Sequence, residues 1–256
     1  FHLWTADVYE GSPVSITATL AVISKGTFIF VFMSTLFTVF QGFFAAWDKM
    51  LMLTIMITIT IGNFQAVRQS NLKRLLAFSS ISQIGYLLLG VISYSLLGAS
   101  SVVYFMLIYV FSSLAMFAVV ALVFDQTGKE DVKDYRGFYQ NNKILSWVIA
   151  LALFSLAGIP PTAGFFGKYF LLTSGAGKGD YILLSVAILN MVVSLYYYLR
   201  VIRAVFIDKG DEPVQKITVS PMIGISIVVC IAGILAIGFA GEIFDYVNTT
   251  FHGPAH

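Results

Sequence analysis

Long uninterrupted runs of apolar residues alternate with short polar segments along the whole chain. A helix that crosses a membrane needs about 20 predominantly apolar residues, because the hydrocarbon core is about 30 Å thick and an α-helix rises about 1.5 Å per residue. The pattern therefore predicts an all-α membrane protein with about seven transmembrane helices. The predicted spans are residues 13–37, 50–67, 73–93, 100–124, 143–173, 181–206 and 219–243.

The fifth predicted span is too long for one straight membrane helix, and Gly158-Ile159-Pro160-Pro161 lies inside it. A proline removes a backbone N–H donor, and its ring clashes with the preceding turn of a helix. We therefore expect two half-helices joined by an unwound segment near residues 158–164, with Pro160 and Pro161 at the break. Unwound backbone at membrane depth is tolerated where it lines protein or water, and transporters use such breaks at their ion paths.

The composition supports membrane burial and argues against several classes of function. The 256 residues are 58% hydrophobic and only 11% charged, whereas soluble domains carry about 25% charged residues. The single cysteine, Cys230, excludes a disulfide framework or an all-cysteine cluster within this chain. The histidines are His2, His252 and His256, and they form no recognisable metal or haem site. We expect no metal, no bound cofactor, no redox centre and no nucleic-acid partner for the chain itself.

Basic residues are distributed unevenly between the two sets of alternating loops. The loops on one side of the membrane, together with the adjoining helix ends, contain only two basic residues, Lys49 and Lys178. Because loops rich in lysine and arginine remain cytoplasmic, the richer set is predicted to be cytoplasmic and the C-terminus to lie outside. The richer set comprises Arg68, Lys73, Arg74, Lys129, Lys133, Arg136, Lys143, Arg200, Arg203, Lys209 and Lys216.

The two remaining basic residues, Lys25 and Lys168, fall within predicted spans. A lysine at the centre of a membrane helix costs roughly 2.5–3.5 kcal/mol on insertion scales, so each needs a reason. The structural alternatives are that Lys25 snorkels to the headgroups and that Lys168 lies at the outer interface. The functional hypothesis is that both amines face a polar interior and gain or lose a proton as neighbouring charges change.

Polar residues on neighbouring spans add a weaker signal. One face of the third span carries Ser79, Ser82, Gln83 and Tyr86, and these are candidates for a proton path that also holds water. Packing between helices is the alternative role for most of them. Lys73 opens the same span and is either an interfacial anchor or a point where protons enter.

Two other polar features are interpreted structurally. Segment 125–142 is rich in both signs of charge and is predicted to be a solvated loop or a surface helix. The run Tyr196-Tyr197-Tyr198 is typical of an interfacial aromatic belt.

Three motifs identify a family that the chain resembles. They are FHLWTADVYEGSP at 1–13, SNLKRLLAFSSISQIGYLLLG at 70–90 and SLAGIPPTAGFFGKYFLL at 155–172. With these motifs the chain resembles the C-terminal part of subunit N, an antiporter-like membrane subunit of respiratory complex I, the proton-translocating NADH:quinone oxidoreductase. The form DVYEGSP favours subunit N over the other antiporter-like members.

The resemblance implies an inverted-repeat fold of fourteen helices, of which this chain holds the second repeat and the C-terminal helix. Residues 1–37 would form the end of the seventh helix and the eighth helix, and residues 38–207 the second five-helix repeat. Residues 208–256 would form a cytoplasmic loop, the last transmembrane helix and an outer tail. Lys25 then matches the family's eighth-helix lysine and Lys168 its twelfth-helix lysine.

The same resemblance implies a function and a set of partners. The chain would conduct protons through its buried lysines, coupled to quinone reduction elsewhere in the complex. FMN, iron–sulfur clusters and quinone would be held by partner subunits, and the neighbours would be other membrane subunits of complex I, including antiporter-like ones, and lipid.

Lys73 matches a basic residue that opens the tenth helix, whereas Gln83 stands where some members carry a histidine. The expected location is a bacterial plasma (inner) membrane.

Three alternatives stay open from the sequence. The first is a subunit of a multisubunit sodium/proton antiporter, and the second is a subunit of a related membrane hydrogenase. The third is a structural membrane spacer that only holds a complex together. Sodium-dependent proton exchange without NADH favours the antiporter, and lysine substitutions that act only through assembly favour the spacer.

Overall fold

The computed structural model describes residues 4–210, 213–239 and 242–252. Within these ranges the regular structure is helical, and the prediction of an all-α membrane protein is confirmed. The helices are α1 (Trp4–Gly11), α2 (Val14–Thr19), α3 (Lys25–Thr38), α4 (Phe44–Arg68), α5 (Leu72–Ile92), α6 (Leu96–Thr127), α7 (Phe138–Asn141), α8 (Lys143–Ala157), α9 (Ala163–Ala176), α10 (Tyr181–Phe206), α11 (Pro221–Phe239) and α12 (Glu242–His252).

The described ranges contain six helical stretches that are long and apolar enough to cross a membrane. The pair α8 and α9 supplies the seventh predicted crossing as two shorter helices, so the expected broken helix is present. The six long stretches are Val14–Thr38, Gln41–Arg68, Leu72–Ile92, Leu96–Thr127, Tyr181–Phe206 and Pro221–Phe239.

Two elements were not predicted from the sequence. The first crossing is interrupted by a π-helical segment, Leu20–Ser24, which joins α2 to α3 and ends directly before Lys25. Helix α12 follows α11, where only an outer tail was expected. A π-helical turn contains one extra residue and is frequent at functional sites, so its position beside Lys25 draws attention to that lysine.

Contacts between loops confirm which loops share an end of the bundle. At the end rich in basic residues, the backbone N–H of Val132 donates to Ser70 (2.8 Å) and that of Gly137 donates to Ala204 (3.2 Å). At the opposite end the Tyr94 ring packs on Trp47, with 6.0 Å between ring centroids, and Lys178 pairs with Asp48. We call these the basic end and the opposite end.

Helix α5 lies at the centre of the bundle, against α1, α4, α6 and α9. All its residues are buried except Arg74 and Ile84. Glycines allow α4 to approach closely, because a Cβ at Gly62 would lie 2.9 Å from the backbone nitrogen of Ser82. The polar side chains of α5 therefore face other helices on nearly every side rather than lipid.

The interpretation of the tyrosine run as an interfacial belt is wrong for two of its three members. Tyr196 is 59% exposed, but Tyr197 and Tyr198 are fully buried. Successive residues on a helix are about 100° apart, so a run of three cannot share one face. Tyr197 and Tyr198 turn towards α4 and α5, where their hydroxyls find polar partners.

Candidate functional site

Lys168 is buried at the break between α8 and α9. Its side chain is 1% exposed, and its Nζ donates to the carbonyl oxygens of Leu156 (2.8 Å) and Ala157 (3.1 Å). Carbonyls in the last turn of a helix have no intrahelical N–H partner, so they are free to accept these bonds. The side chain is thus buried inside the protein rather than exposed at its surface. The break therefore supplies the acceptors for the amine beside it.

The geometry of the break depends on a glycine and a threonine. Gly158 has φ +83°, the left-handed conformation that commonly ends a helix, and its N–H donates to Phe154 (3.0 Å). Thr162 donates its hydroxyl to Ile159 (2.7 Å) at the start of α9. Pro160 and Pro161 lie between them and are joined by a cis peptide bond. The predicted positions of both prolines in the break are thus confirmed.

Gln83 connects the Lys168 site to two hydroxyl groups. Its Nε2 donates to the Leu156 carbonyl (3.1 Å), which Lys168 also uses, and to the Tyr198 hydroxyl (3.1 Å). Tyr198 in turn shares a hydrogen bond with Ser79. The buried Oε1 of Gln83 has no partner among the described residues, which leaves an acceptor available for a water molecule.

The other two candidates on α5 have different surroundings. The Tyr86 ring lies beneath the amine of Lys168, with 5.0 Å from Nζ to the ring centroid, and its hydroxyl donates to Ala187 (3.3 Å). Ser82 donates to the carbonyl of Ser79 on its own helix (2.7 Å). Tyr86 thus contacts the Lys168 amine directly, whereas the hydroxyl of Ser82 is directed to its own helix.

Lys25 lies on the other side of α5 and is half-buried. Its Nζ donates to the hydroxyl of Ser80, and Ser80 shares a further hydrogen bond with Tyr109 on α6. The Tyr9 ring lies 5.5 Å from Nζ. Lys25 also lines a cavity of about 380 Å³ whose walls are mostly apolar and include Thr54 and Thr58 of α4. Lys25 thus has polar partners inside the protein.

Lys73 provides the third amine inside the bundle, and its partner comes from the basic-end loop. It is 2% exposed, and its Nζ lies 2.9 Å from Oε1 of Glu130 and 3.8 Å from the centroid of the Phe124 ring. Asn71 donates to the other carboxylate oxygen (2.8 Å). Lys73 is therefore held in an ion pair inside the protein and is not an exposed side chain.

The Glu130 carboxylate responds to two opposing effects. Partial burial raises its pKa, whereas the hydrogen bonds from Lys73 and Asn71 lower it, and the balance leaves the pKa below its ordinary value. The prediction of a simply solvated loop is accordingly wrong for this part of segment 125–142. Val132 and Tyr135 of the same segment are also buried.

The structure thus brings most of the candidates together in two clusters on different sides of α5, and Lys73 and Ser82 belong to neither. The Lys168 cluster contains Gln83, Tyr198, Ser79 and Tyr86, and the Lys25 cluster contains Ser80 and Tyr109. No hydrogen bond between described residues joins the two clusters. A path between them would therefore include water.

Several members of these clusters were missed by reasoning from sequence. Ser80 adjoins Ser79 in the chain but faces another helix, and nothing in the pattern marked Tyr109 or Glu130 as partners. Tyr198 was assigned to an interfacial belt instead. Two asparagines within apolar helices did carry a signal, since such residues seek partners. Asn63 and Asn190 are both buried, and Nδ2 of Asn63 donates to the Asn190 carbonyl (3.2 Å) while its Oδ1 accepts from Tyr197 (3.0 Å).

Metal ligation finds no support in the part of the chain that the structure describes. No group of three or more His, Cys, Asp or Glu side chains there could hold a metal ion. His2, His256 and the side chain of His252 lie outside the described residues.

Comparison with known proteins places this geometry in a family. A broken crossing with a buried lysine beside it, and a central polar helix, define a helical membrane subunit of the antiporter-like class. The chain belongs to the NADH:quinone oxidoreductase/Mrp antiporter transmembrane family, whose model matches residues 1–194.

The relatives show which members the chain resembles. It is 46% identical to NADH-quinone oxidoreductase subunit N of Azobacteroides pseudotrichonymphae, over 99% of this chain and 53% of that protein. Its fold matches a chain of respiratory complex I from Thermus thermophilus with bound aureothin, with TM-score 0.76 and 30% identity over 96% of this chain and 54% of the other. The likeness to subunit N expected from the motifs is confirmed.

A third match concerns the fold alone. A chain of the Mrp complex from Dietzia sp. DQ12-45-1b superposes with TM-score 0.87 at 18% identity, covering 98% of this chain and 56% of that one. The chain therefore spans about half the length of the relatives it matches.

Proposed function

We propose that this chain is part of a proton-translocating, antiporter-like membrane subunit of a respiratory NADH:quinone oxidoreductase, complex I. The observation that carries the proposal is the amine of Lys168, buried at a helix break and held by backbone carbonyls without a carboxylate partner among the described residues. The 46% sequence identity to a subunit N, over 99% of this chain, supports the assignment to complex I. In this proposal the chain has no redox centre and acts as one subunit of a translocase.

The surroundings of the two lysines suit a group that changes its charge. A neutral amine still has two N–H donors, so carbonyl and hydroxyl acceptors can hold it in either state. A neighbouring charge that changes during turnover then decides which state is favoured. We infer that Lys25 passes a proton towards Lys168 through hydroxyl groups and water, and that Lys168 releases it outward.

The side chains between the lysines have defined parts in this relay. Ser80 and Tyr109 carry hydroxyls that both accept and donate a proton, and they lie on the Lys25 side of α5. Gln83 and Tyr198 lie on the Lys168 side of α5, where the proton would arrive, and they are joined by a hydrogen bond. Ser79 and Tyr86 complete the candidate path, whereas the hydroxyl of Ser82 is directed to its own helix and has no part in it. Lys73 with Glu130 lies where protons would enter from the basic end.

The arrangement in the membrane follows from the same proposal. Residues 1–37 form the end of the seventh and the eighth family helices, residues 38–207 the second five-helix repeat, and residues 208–256 the loop, last span and outer tail. The basic end faces the cytoplasm of a bacterium, and the C-terminus lies outside the plasma membrane. Other membrane subunits of complex I, including antiporter-like neighbours, are the partners, and FMN, iron–sulfur clusters and quinone belong to partner subunits.

The test is the substitution Lys168→Ala in the full-length subunit within native membranes, after assembly of the complex has been verified. We expect NADH:quinone turnover and proton uptake by inverted vesicles to fall together, by about tenfold or more for proton uptake, because the proton-carrying group is lost. The matched control is Lys49→Ala, which removes an exposed lysine at the opposite end.

The outcomes separate the alternatives. Unchanged turnover and uptake in an assembled Lys168→Ala complex would exclude the proton path. If turnover and proton uptake are lost only because the complex fails to assemble, the chain is a structural spacer. Sodium-dependent proton exchange that is insensitive to NADH indicates an antiporter subunit.

A further inference from the structure

A small cavity lies at the basic end, outside the two lysine clusters. It encloses about 270 Å³ between the end of α4, the loop before α7 and the last turns of α10. Four basic side chains line it, namely Arg68, Lys133, Arg136 and Arg200, and Asp208 is the one acidic residue among the described lining residues. We call this space the basic pocket.

Most of the positive charge in the basic pocket lacks a carboxylate partner. Asp208 is paired with Arg203, which does not line the pocket, at 3.0 Å, and Lys133 lies 3.3 Å from Asp131. The exposed side chains of Arg68 and Arg136 form no ion pair with any described residue.

Arg200 adds a guanidinium group to the pocket lining, and backbone carbonyls fix its position. Its two terminal nitrogens donate to the carbonyls of Val67 (2.7 Å) and Gln69 (2.6 Å), at the end of α4. Its Nε is buried and has no partner among the described residues. Arg200 forms no ion pair with any described residue, so its guanidinium adds a further uncompensated charge to the pocket lining.

The basic pocket lies at the ends of two helical stretches that are long and apolar enough to cross a membrane. The span that contains α4 ends at Arg68, and that of α10 ends at Phe206. Phe64 is 58% exposed one turn below Arg68, and Tyr196 is 59% exposed one turn below Arg200. Because α4 and α10 pack together, these side chains provide an apolar surface that leads from the pocket into the membrane.

We propose that the basic pocket binds the phosphate headgroup of an anionic phospholipid, whose acyl chains lie along the exposed apolar surface of α4 and α10. Guanidinium groups match phosphate because two parallel N–H donors meet two phosphate oxygens. Basic pockets between membrane helices bind such headgroups in general. The apolar surface favours a lipid over a soluble phosphate, and this inference is independent of the proposed proton path.

The test compares lipid retention by the full-length subunit purified in its complex, using native mass spectrometry after partial delipidation. Phosphatidylglycerol is added back, with phosphatidylcholine as the zwitterionic comparison. The double variant Arg68→Gln with Arg136→Gln is expected to bind phosphatidylglycerol about ten- to thirty-fold more weakly, because two cations near the phosphate are lost. Binding of phosphatidylcholine should change by less than about twofold.

Two controls distinguish a site from general charge and from misfolding. The double variant Lys129→Gln with Lys216→Gln removes the same charge from the same end, away from the pocket lining, and should retain phosphatidylglycerol as the unsubstituted protein does. The variant Arg68→Lys with Arg136→Lys keeps the charge but loses the paired N–H donors, and its affinity should fall less than that of the glutamine variant. Equal retention in the glutamine variant of the pocket overturns the proposal. Displacement of the lipid by millimolar inorganic phosphate also overturns it, and assigns the pocket to a soluble anion.

Discussion

Three lysines lie among apolar helices, and each amine is stabilised by a different kind of acceptor. Lys168 donates to backbone carbonyls, Lys25 to a serine hydroxyl, and Lys73 to the carboxylate of Glu130. Only the last pair brings a full negative charge. In the proposed relay, the two amines without a carboxylate among the described residues are therefore the ones suited to change their charge.

The hydroxyl of Ser80 can be tested against that of Ser82, which lies on the same helix and is also buried. Ser80→Ala removes the hydrogen-bond acceptor of Lys25, and we expect a loss of about threefold or more in proton uptake by inverted vesicles. Ser82→Ala removes a hydroxyl that donates to its own helix, and the loss should be small. Equal losses in assembled complexes would show that Ser80 has no special part in the relay.

The ion pair between Lys73 and Glu130 predicts a dependence of stability on pH. The pKa of Glu130 lies below its ordinary value of 4.5 in the folded protein, so the pair stabilises the fold fully above that pH. This contribution is lost as the pH falls through and below 4.5, where the carboxylate becomes protonated. Glu130→Gln should therefore destabilise the detergent-solubilised protein by about 1–2 kcal/mol at about pH 7 and by much less at about pH 3.5.

A double-mutant cycle provides the control for this pair. Lys73→Met alone leaves a partly buried carboxylate without its cation, whereas Lys73→Met with Glu130→Gln removes both charges. The double variant should be more stable than the sum of the single effects predicts. Strict additivity would show that the two side chains do not interact.

At the scale of elements, the two irregular crossings matter most. Each interrupts regular α-helix beside a lysine, the π segment Leu20–Ser24 before Lys25 and the break at residues 158–162 before Lys168. At the break the interruption exposes backbone acceptors that a continuous helix would use internally. Helix breaks are thus a way to hold an amine without adding a second charge.

The close approach of α8 and α9 predicts a difference between two glycines of α9. A Cβ at Gly164 would lie 1.7 Å from the carbonyl oxygen of Ser155, so Gly164→Ala must push the two half-helices apart. We expect it to destabilise the protein by about 1–3 kcal/mol or more, measured by thermal unfolding in detergent. A Cβ at Gly175 would have no neighbouring atom nearer than 3.9 Å, so Gly175→Ala should be neutral or slightly stabilising. Similar melting temperatures for both variants would contradict this view of the break.

At the scale of the whole molecule, the chain has two chemically different ends. The basic end contains the loop that pairs with Lys73 and the basic pocket, while the opposite end carries Lys178 between Asp48 and Asp180. The excess of basic residues at one end sets the orientation that we propose.

Cysteine labelling tests this orientation. In a Cys230→Ser background, which removes the natural buried thiol, Lys133→Cys at the basic end should react with a membrane-impermeant maleimide only in inverted vesicles. Lys49→Cys at the opposite end should react only in intact cells with a permeable outer layer. The reverse pattern would invert the proposed topology.

Much of the architecture could be predicted from the sequence, because a segment that crosses lipid must satisfy its own backbone hydrogen bonds. Apolar runs had to become helices, and the paired prolines had to interrupt one of them. The positions of Lys25 and Lys168 within spans were also evident. Residues such as Glu130, Ser80 and Tyr198 could not be assigned, since each acts through a partner that is distant along the chain.

The sequence by itself thus determined the number of crossings, the position of the helix break and the lysines that need a partner, because hydropathy and proline geometry are local properties. Only the tertiary structure decided what those lysines contact, which tyrosines are buried and where the π segment lies. These depend on the rotation of each helix about its axis and on the packing of neighbours. A shift of one residue turns a side chain by about 100°, and only the packed bundle selects the face that turns inward.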